Sequence, residues 1–271
     1  MKPCFSTLGC PDWTLPRILD IAARHKFGGI ELRFVENQDA LWKLPVFSSS
    51  ELAATKRMIK DHGLVIACVD TSCHFHAPDA AERNKVVDEG ERMADLAAAL
   101  SAPGIRIFGD KIQPGATREA TRGWISESMW KLAERTRAKH VEVWIETHGD
   151  FASAPETNAI LKACGCHDIG AIWDPANCMI ATSEKPATGA PLLGAAIRHV
   201  HIKDLKSLTS ADPALPAEGA FPMRDVIASL AKLQYDRFVS FEWEKKWHPD
   251  IPEGSIAIPH FAKWWAEQKT S

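Results

Sequence analysis

Short apolar β-type runs alternate with amphipathic helical segments along the whole chain, and this alternation limits the possible folds more than any other feature. The β-type runs are Phe5–Gly9, Gly29–Arg33, Leu64–Asp70, Gly104–Phe108, Val141–Glu146, Gly170–Asp174, Ile197–Ile202 and Phe238–Glu242. The helical segments are one that begins at Thr14, then Ser50–His62, Ala80–Leu100, Thr117–Ala138, Ala154–Cys164, Ala190–Ala196, Met223–Lys232 and Ile256–Gln268. Regular alternation of this kind predicts a parallel sheet with helices outside it.

Eight such units in 271 residues predict a (β/α)₈ TIM barrel that spans residues 1–271 as a single domain. The alternative is an open, doubly wound sheet. That fold usually places a Gly-rich phosphate-binding turn after its first strand, and this chain has no such turn there. The barrel is therefore the preferred interpretation.

Composition narrows the possible partners and compartment. The net charge of −3 gives no basic excess for a nucleic-acid backbone, and no run approaches the roughly 18 apolar residues of a membrane helix. Seven cysteines, an odd number, and the lack of a signal peptide predict a reduced, cytoplasmic protein. Cys164, Cys166 and His167 are interpreted as a turn with incidental thiols. Trp264 or Trp265 in the last helix could serve a subunit contact, so a homo-oligomer remains possible.

Four of the β-type runs end in a residue that can bind a metal ion. These residues are Glu146, Asp174, His201 and Glu242. All strand ends of a parallel barrel meet at one rim, so the four side chains should converge there. Three carboxylates and one imidazole suit a single divalent cation of intermediate hardness, with Mn²⁺ first and Mg²⁺, Co²⁺ or Zn²⁺ as alternatives. The rival interpretation is a set of unrelated helix caps and salt bridges.

The same stretches resemble a known family. The chain is similar to the sugar phosphate isomerase/epimerase superfamily, the xylose-isomerase-like barrels, in the segments Leu8–Trp13, Gly29–Arg33, Ile145–Asp150, Ile172–Asn177, His199–Asp204 and Phe238–Glu244. The resemblance implies that Glu146, Asp174, His201 and Glu242 are the metal ligands, with Glu242 preferred over Glu244. It also implies that His148, Asn177 and Lys203 face the substrate or support the site. Many members carry histidine where this chain has Asn177.

Other polar residues near the predicted rim have two interpretations each. Glu31 and Arg33 share one face of the second strand and either bind substrate hydroxyls or form an internal ion pair. His74 and His76 either reach the rim or lie in a solvated loop. Lys203 either neutralises a developing oxyanion or pairs with Asp204. One of four tryptophans near strand ends could form an apolar wall for a sugar, namely Trp13, Trp173, Trp243 or Trp247.

The function that follows is an isomerase or epimerase of a small polyhydroxy carbonyl compound, working by proton transfer through a metal-stabilised enediolate. Glu146 or Glu242 would take the proton and the other would return one. A lyase or dehydratase acting on an inosose or 3-keto sugar would share the first step and use His148 or Lys203 as the acid. An endonuclease would require more histidines, several zinc ions and a basic face. A non-catalytic barrel is the fourth alternative. No phosphate cradle is visible, which favours an unphosphorylated sugar.

Overall fold

A computed structural model describes residues 1–268, which contain ten strands and nine α-helices. The strands β1 to β10 are Lys2–Ser6, Gly29–Leu32, Val65–His74, Gly104–Phe108, Glu142–Glu146, Ile169–Trp173, Ile197–Ile202, Asp204–Leu205, Pro213–Ala214 and Phe238–Phe241. The helices α1 to α9 are Leu15–Arg24, Leu52–Asp61, Ala80–Ala99, Arg118–Thr136, Ala154–Cys164, Pro175–Thr182, Pro186–Leu193, Met223–Lys232 and Gly254–Glu267.

Eight of the strands close into a parallel barrel in the order β1-β10-β7-β6-β5-β4-β3-β2. The predicted TIM barrel is therefore confirmed. The assignment of residues 1–271 to a single domain stays a prediction, and its last three residues lie outside the described part of the chain. None of the helices described between residues 1 and 268 combines the length and apolarity needed to cross a membrane.

Local signals in the sequence account for many of the helix ends. The Asp79 carboxylate caps α3 by accepting hydrogen bonds from the backbone N–H groups of Ala81 and Glu82. The hydroxyl of Ser153 caps α5, and Gly165, with a φ of 67°, ends that helix in the left-handed conformation that glycine adopts without strain. These caps fix where each helix leaves the rim or returns to the base of the barrel.

The structure differs from the sequence prediction in three elements around and after the sixth and seventh strands. An additional helix, α6, begins directly after Asp174, whose carboxylate caps it by accepting from the N–H groups of Ala176 and Asn177. The helix predicted at Ala190–Ala196 instead lies at Pro186–Leu193, because Pro186 occupies the first turn and Gly194 ends it. The stretch between the predicted seventh strand and the helix at Met223–Lys232 contains two short strands not predicted from the sequence, β8 and β9, which pair in a two-stranded antiparallel hairpin.

The apolar core has two parts. The larger part fills the layer between the strands and the surrounding helices. Cys68, Trp144 and Ile172 form a separate, small buried cluster on strands β3, β5 and β6. Polar and charged side chains from the same strands are also buried, including Glu31 and Arg106. The strands thus supply a buried ionic group in addition to their apolar packing.

Candidate metal centre and active-site cavity

The four predicted ligands come together at the rim. Glu146 ends β5, Asp174 follows β6, His201 lies in β7 and Glu242 follows β10, and these strands are neighbours in the barrel. One ligand atom from each of the four lies within 4.8 Å of those of the others. All four residues are at most 4% exposed. The prediction that the four side chains would converge therefore agrees with the structure.

The hydrogen bonding of this group fits a cation. Within residues 1–268, the buried atoms Asp174 Oδ2 and His201 Nδ1 have no hydrogen-bond partner, although Lys203 Nζ lies 2.9 Å from Asp174 Oδ2. His201 Nδ1 lies 3.3 Å from Glu242 Oε1 and 3.5 Å from Glu146 Oε1. Buried polar atoms normally find a partner. An imidazole nitrogen and carboxylate oxygens that face one another are all possible ligand atoms for the same ion. The residues present therefore fit a divalent cation.

Glu31 supports His201 from the opposite side of the ring. Its Oε2 atom lies 3.1 Å from His201 Nε2 and 2.6 Å from His199 Nε2, and Glu31 is fully buried. A proton on Nε2 bonded to Glu31 leaves the Nδ1 lone pair of His201 facing the carboxylates. Metal-binding histidines commonly donate their other N–H to a carboxylate in this way.

This placement corrects both interpretations of Glu31 made from the sequence. Glu31 does not line the cavity, so it has no access to substrate hydroxyls, and its described partners are histidines rather than Arg33. The physical reason is that Glu31 lies deeper in the barrel than Arg33 does. Glu31 lies within β2, whereas Arg33 follows the strand and reaches the cavity wall.

Lys203 forms a second link between the carboxylates. Its Nζ atom lies 2.9 Å from Asp174, 2.7 Å from Glu242 and 2.5 Å from Glu244. The alternative in which Lys203 pairs with Asp204 does not occur among the described ion pairs. The Asp204 carboxylate instead accepts hydrogen bonds from three backbone N–H groups, those of Leu205, Gly219 and Phe221.

Arg106 is the main site residue that the sequence reasoning missed. Its Nη1 atom lies 3.0 Å from Glu146, 3.2 Å from Asp70 and 3.5 Å from Glu242. Arg106 and these three acids are all at most 5% exposed. A charged residue between Ile105 and Ile107 in an apolar strand was the available signal, because such a residue is rarely buried without a partner.

The surroundings shift the acidity of these groups in different directions. Burial raises the pKa of Glu146, but the positive charges of Arg106 and His201 outweigh burial and leave that pKa below its ordinary value. The pKa of Glu242 lies above its ordinary value because burial outweighs the attraction of His201 and Lys203. Burial opposes a charge on His201, yet Glu242, Glu31 and Glu146 raise its pKa. The same negative charge would favour a cation beside Nδ1.

A cavity of about 410 Å³ opens above the ligand group. Its lining includes Leu8, Arg33, Ser72, His74, Arg106, Phe108, Asp110, Lys111, Glu146, His148, Lys203, Glu242, Glu244 and Trp247. His148 therefore lies where the sequence placed it, and its Nδ1 is 3.0 Å from Asp110 Oδ1. His74 and His76 also gather around Asp110, at 3.8 and 3.9 Å. Asn177 is not part of the lining, and its amide donates to Glu146 and to the Thr147 carbonyl.

Only one of the four candidate tryptophans reaches this cavity. Trp247 lines it, is 55% exposed and meets Phe34 edge to face at a centroid distance of 5.7 Å. Trp173 and Trp243 are buried, and the indole N–H of Trp243 donates to the Pro252 carbonyl. Trp13 is buried beneath the guanidinium of Arg17.

Comparison with known proteins gives the family. A sequence model described as the xylose isomerase-like TIM barrel matches residues 19–264. The chain belongs to this family. The resemblance inferred from the strand-end motifs is thereby confirmed. No curated protein sequence matches this xylose isomerase-like chain.

Several solved structures share the whole barrel at low sequence identity. The probable 3-DHS dehydratase AsbF of Bacillus anthracis is 19% identical, covers 98% of this chain and 99% of its own, and has a TM-score of 0.80. The D-psicose 3-epimerase of Clostridium cellulolyticum H10 is 15% identical, with 98% coverage of both chains and a TM-score of 0.79. The IOLI protein, solved with a bound zinc atom, is 15% identical, covers 99% of this chain and 98% of its own, and has a TM-score of 0.81. These identities show a shared fold. The neighbours of this xylose isomerase-like barrel include epimerases and a dehydratase.

Proposed function

We propose that this protein is a metal-dependent isomerase or epimerase of a small polyhydroxy carbonyl compound. The observation that carries the proposal is the convergence of Glu146, Asp174, His201 and Glu242 within 4.8 Å at the floor of a cavity. Mn²⁺ is the first choice for the cation, because the set combines three hard carboxylates with one imidazole. The zinc atom of the IOLI structure supports a divalent ion in a related barrel.

The two glutamates are the proposed acid and base. Both line the cavity, and each lies beside a fixed positive charge, Arg106 for Glu146 and Lys203 for Glu242. When bound, a divalent cation supplies the positive charge that makes a C–H bond next to a carbonyl more acidic. One glutamate then takes the proton from that carbon, and the other returns a proton to the same or the neighbouring carbon. Return to the opposite face gives an epimer, and return to the neighbouring carbon gives an aldose–ketose pair.

A lyase or dehydratase is the second candidate, and one contact favours it specifically. His148 lines the cavity with its Nδ1 held 3.0 Å from the Asp110 carboxylate, which orients the ring. An oriented imidazole could protonate a leaving hydroxyl on the β-carbon, a step that epimerisation does not need. The structural neighbour described as a probable 3-DHS dehydratase supports this second candidate.

Metal binding by the four ligands is the first test. Glu146→Gln, Asp174→Asn, His201→Ala and Glu242→Gln should each weaken Mn²⁺ binding, measured by calorimetry and by metal content after gel filtration, because each removes or weakens one ligand. Glu119→Gln on the exposed side of α4 is the control and should bind like the parent. Parental Mn²⁺ binding by all four variants would show that the proposed centre is wrong.

Solvent exchange tests the chemistry. Incubation of the Mn²⁺-loaded protein in D₂O with a ketose panel that starts with D-fructose and D-tagatose should place deuterium on the carbon next to the carbonyl of the product. A carboxylic acid exchanges its proton with solvent before returning it, whereas a hydride shift carries the original hydrogen across. Complete turnover without deuterium would exclude the glutamate pair. Deuterium uptake with loss of water would favour the lyase.

Nucleic acid should not be a partner. With a net charge of −3, binding to abasic duplex DNA is expected to be weak and to lack a steep dependence on salt. Tight, strongly salt-dependent binding accompanied by strand cleavage would contradict the sugar-enzyme proposal.

A further inference from the structure

The cavity has an acidic side and a basic side. Glu146, Glu242 and Glu244 come from the ends of β5 and β10, whereas Arg33 and Lys111 come from the ends of β2 and β4. These two groups of strands lie on different parts of the barrel circumference. The proposed cation site lies on the acidic side, so a substrate that binds the cation and fills the cavity would place other atoms near the basic side.

Arg33 is built into the basic side and is not a free surface side chain. It is only 5% exposed, and its backbone N–H donates to the Thr7 hydroxyl at 2.8 Å, as does that of Phe34 at 3.0 Å. Its Nη2 donates to the Ser72 hydroxyl at 2.8 Å, and the guanidinium lies 4.6 Å from the centre of the Phe34 ring. Both its main chain and its side chain are therefore fixed before any ligand arrives.

The charge of Arg33 is poorly compensated. Within residues 1–268, its buried Nη1 has no hydrogen-bond acceptor, and the one carboxylate paired with it, that of Asp39, is 4.0 Å away with a side chain that is 45% exposed. The acids Asp70 and Glu146 also act on Arg33, but Arg106 already pairs with both. Burial, reinforced by the repulsion of Arg106, lowers the pKa of Arg33 to about 10. A buried cation beside a cavity, with an unused donor, normally has a partner.

The only carboxylate that lines the cavity on this side is Asp110, within the described residues. Its Oδ1 lies 3.0 Å from His148, and its Oδ2 faces His74 and His76 at 3.8 and 3.9 Å. No ion pair joins Asp110 to Arg33 among the contacts described for residues 1–268. On the basic side, Arg33 therefore has only the half-exposed Asp39 carboxylate, at 4.0 Å, as a direct ion-pair partner among the described residues.

We infer that Arg33 binds an anionic group of the substrate, a carboxylate or a phosphate, at the end of the molecule opposite the reacting carbonyl. This inference rests on the proposed function and narrows its substrate class to acidic polyhydroxy carbonyl compounds. A planar guanidinium suits either anion, because it can donate two parallel hydrogen bonds. Binding of a sugar acid would agree with the sequence-based expectation of an unphosphorylated sugar. Binding of a sugar phosphate would contradict that expectation. The volume of about 410 Å³ suits a small acid of this kind.

Matched acid and neutral probes test the inference. The Mn²⁺-loaded protein is titrated by calorimetry with D-glucuronate and D-glucose, with D-gluconate and D-glucitol, and with D-glucose 6-phosphate as the phosphate arm. The measured quantity is the ratio of the dissociation constants of the neutral and anionic members. Native protein should prefer the anionic member by about tenfold or more, as one charged hydrogen bond can supply. Preference for the carboxylates or for the phosphate identifies the anion.

Variants separate Arg33 from the other charges. Arg33→Met should reduce the ratio by about tenfold while leaving Mn²⁺ binding and binding of the neutral sugars unchanged. Any attraction of the anionic probes to the Mn²⁺ ion is the same in Arg33→Met and in the native protein. The difference between their affinity ratios therefore reports Arg33 alone. Arg57→Met, on the exposed surface of α2, is the matched control and should keep the native ratio. If Arg33→Met does not fold, Arg33→Lys gives the same readout. The affinity ratio should then fall by a smaller, severalfold amount, because an ammonium keeps the charge but cannot donate the two parallel hydrogen bonds of a guanidinium.

Two results would overturn the inference. One is that no anionic probe binds the native protein more tightly than its neutral partner. The other is that the preference survives unchanged in Arg33→Met. Neither result bears on the metal centre. The proposed function fails separately, through parental Mn²⁺ binding in the four ligand variants or through turnover without deuterium uptake.

Discussion

Replacement of Arg106 by methionine tests whether the buried ionic group holds the ligand carboxylates in place. The side chain is 3% exposed, and three equally buried carboxylates lie within 3.5 Å of its Nη1 atom. Removal of one partner from a buried ion pair usually costs 3–5 kcal/mol, because the remaining charge stays buried without compensation. We therefore expect Arg106→Met to lower the free energy of unfolding by about 4 kcal/mol in the presence of a chelator.

The dependence of this loss on pH follows from the acids involved. Burial already raises the pKa of Asp70 well above its ordinary value, so Asp70 can hold a proton when Arg106 is removed. Glu146 has a pKa below its ordinary value despite burial, chiefly because of Arg106. A lowered folded pKa contributes stability above the ordinary glutamate pKa, about 4.3, and that contribution is lost as the pH falls through the folded value. The difference between native protein and variant should thus be full at neutral pH and shrink in acid.

Urea unfolding followed by circular dichroism measures the difference, with Arg135→Met as the control. Arg135 also contacts two acids, Asp88 at 2.6 Å and Glu91 at 3.2 Å, but its side chain is 40% exposed. Exposed pairs contribute about 0–1 kcal/mol, so the control should lose little. If Arg106→Met costs no more than Arg135→Met at neutral pH, Arg106 does not compensate the three buried carboxylates as argued. Saturating Mn²⁺ should recover part of the loss only in Arg106→Met, since the cation would compensate the released carboxylates.

Three further substitutions have defined outcomes. Glu31→Gln should weaken Mn²⁺ binding by roughly 10–100-fold in calorimetry, because the amide no longer provides the charged acceptor that orients His201, and parental affinity would exclude that role. Asp110→Asn should flatten the acid side of the melting-temperature profile. Burial opposes ionisation of Asp110, but its bond to His148 lowers the pKa below the ordinary aspartate value. The stability that ionised Asp110 contributes is therefore present above the ordinary pKa and is lost as the pH falls through the folded pKa. An unchanged profile would contradict this. Asp204→Ala should cost at least about 3 kcal/mol in urea unfolding, because it leaves three backbone N–H groups without their acceptor, and a loss below about 1 kcal/mol would contradict the capping role.

The barrel and the ligand set could be predicted because both depend on strand ends. A strand reaches the rim of the barrel where its apolar run stops. Glu146 and Glu242 therefore locate the rim even when the first residues of the flanking helices are not known. The helix α6 could not be recognised in the same way. Asp174 caps it with one carboxylate oxygen and offers the other to the ligand group, so the residue interpreted as a ligand also begins a helix. A carboxylate has two oxygens, and the sequence does not show how they are divided.

Residues inside the barrel were harder to predict, since strands buried on both faces lack the alternation that separates solvent from core. Arg106 pairs in register with Trp144 on β5, and that register brings its guanidinium beneath the rim toward Glu146. Register depends on the neighbouring strand and not on the strand's own residues. The same limit applies to Glu31, whose partners His199 and His201 are distant in sequence.

The buried ionic group explains why such a site can exist in a stable barrel. The three close ligand carboxylates at the rim would repel one another, and burial would increase the cost of each charge. Arg106 and Lys203 offset that repulsion in the protein without a cation, while Glu31 sets the orientation of His201. An apolar replacement of the whole group could leave the fold as stable or more so, as it does for other buried ion pairs. Replacement of Arg106 and Lys203 alone would free Glu146 and Glu242 to turn away from each other. The ionic group is therefore better explained by the geometry it imposes on the two glutamates than by any stability it adds.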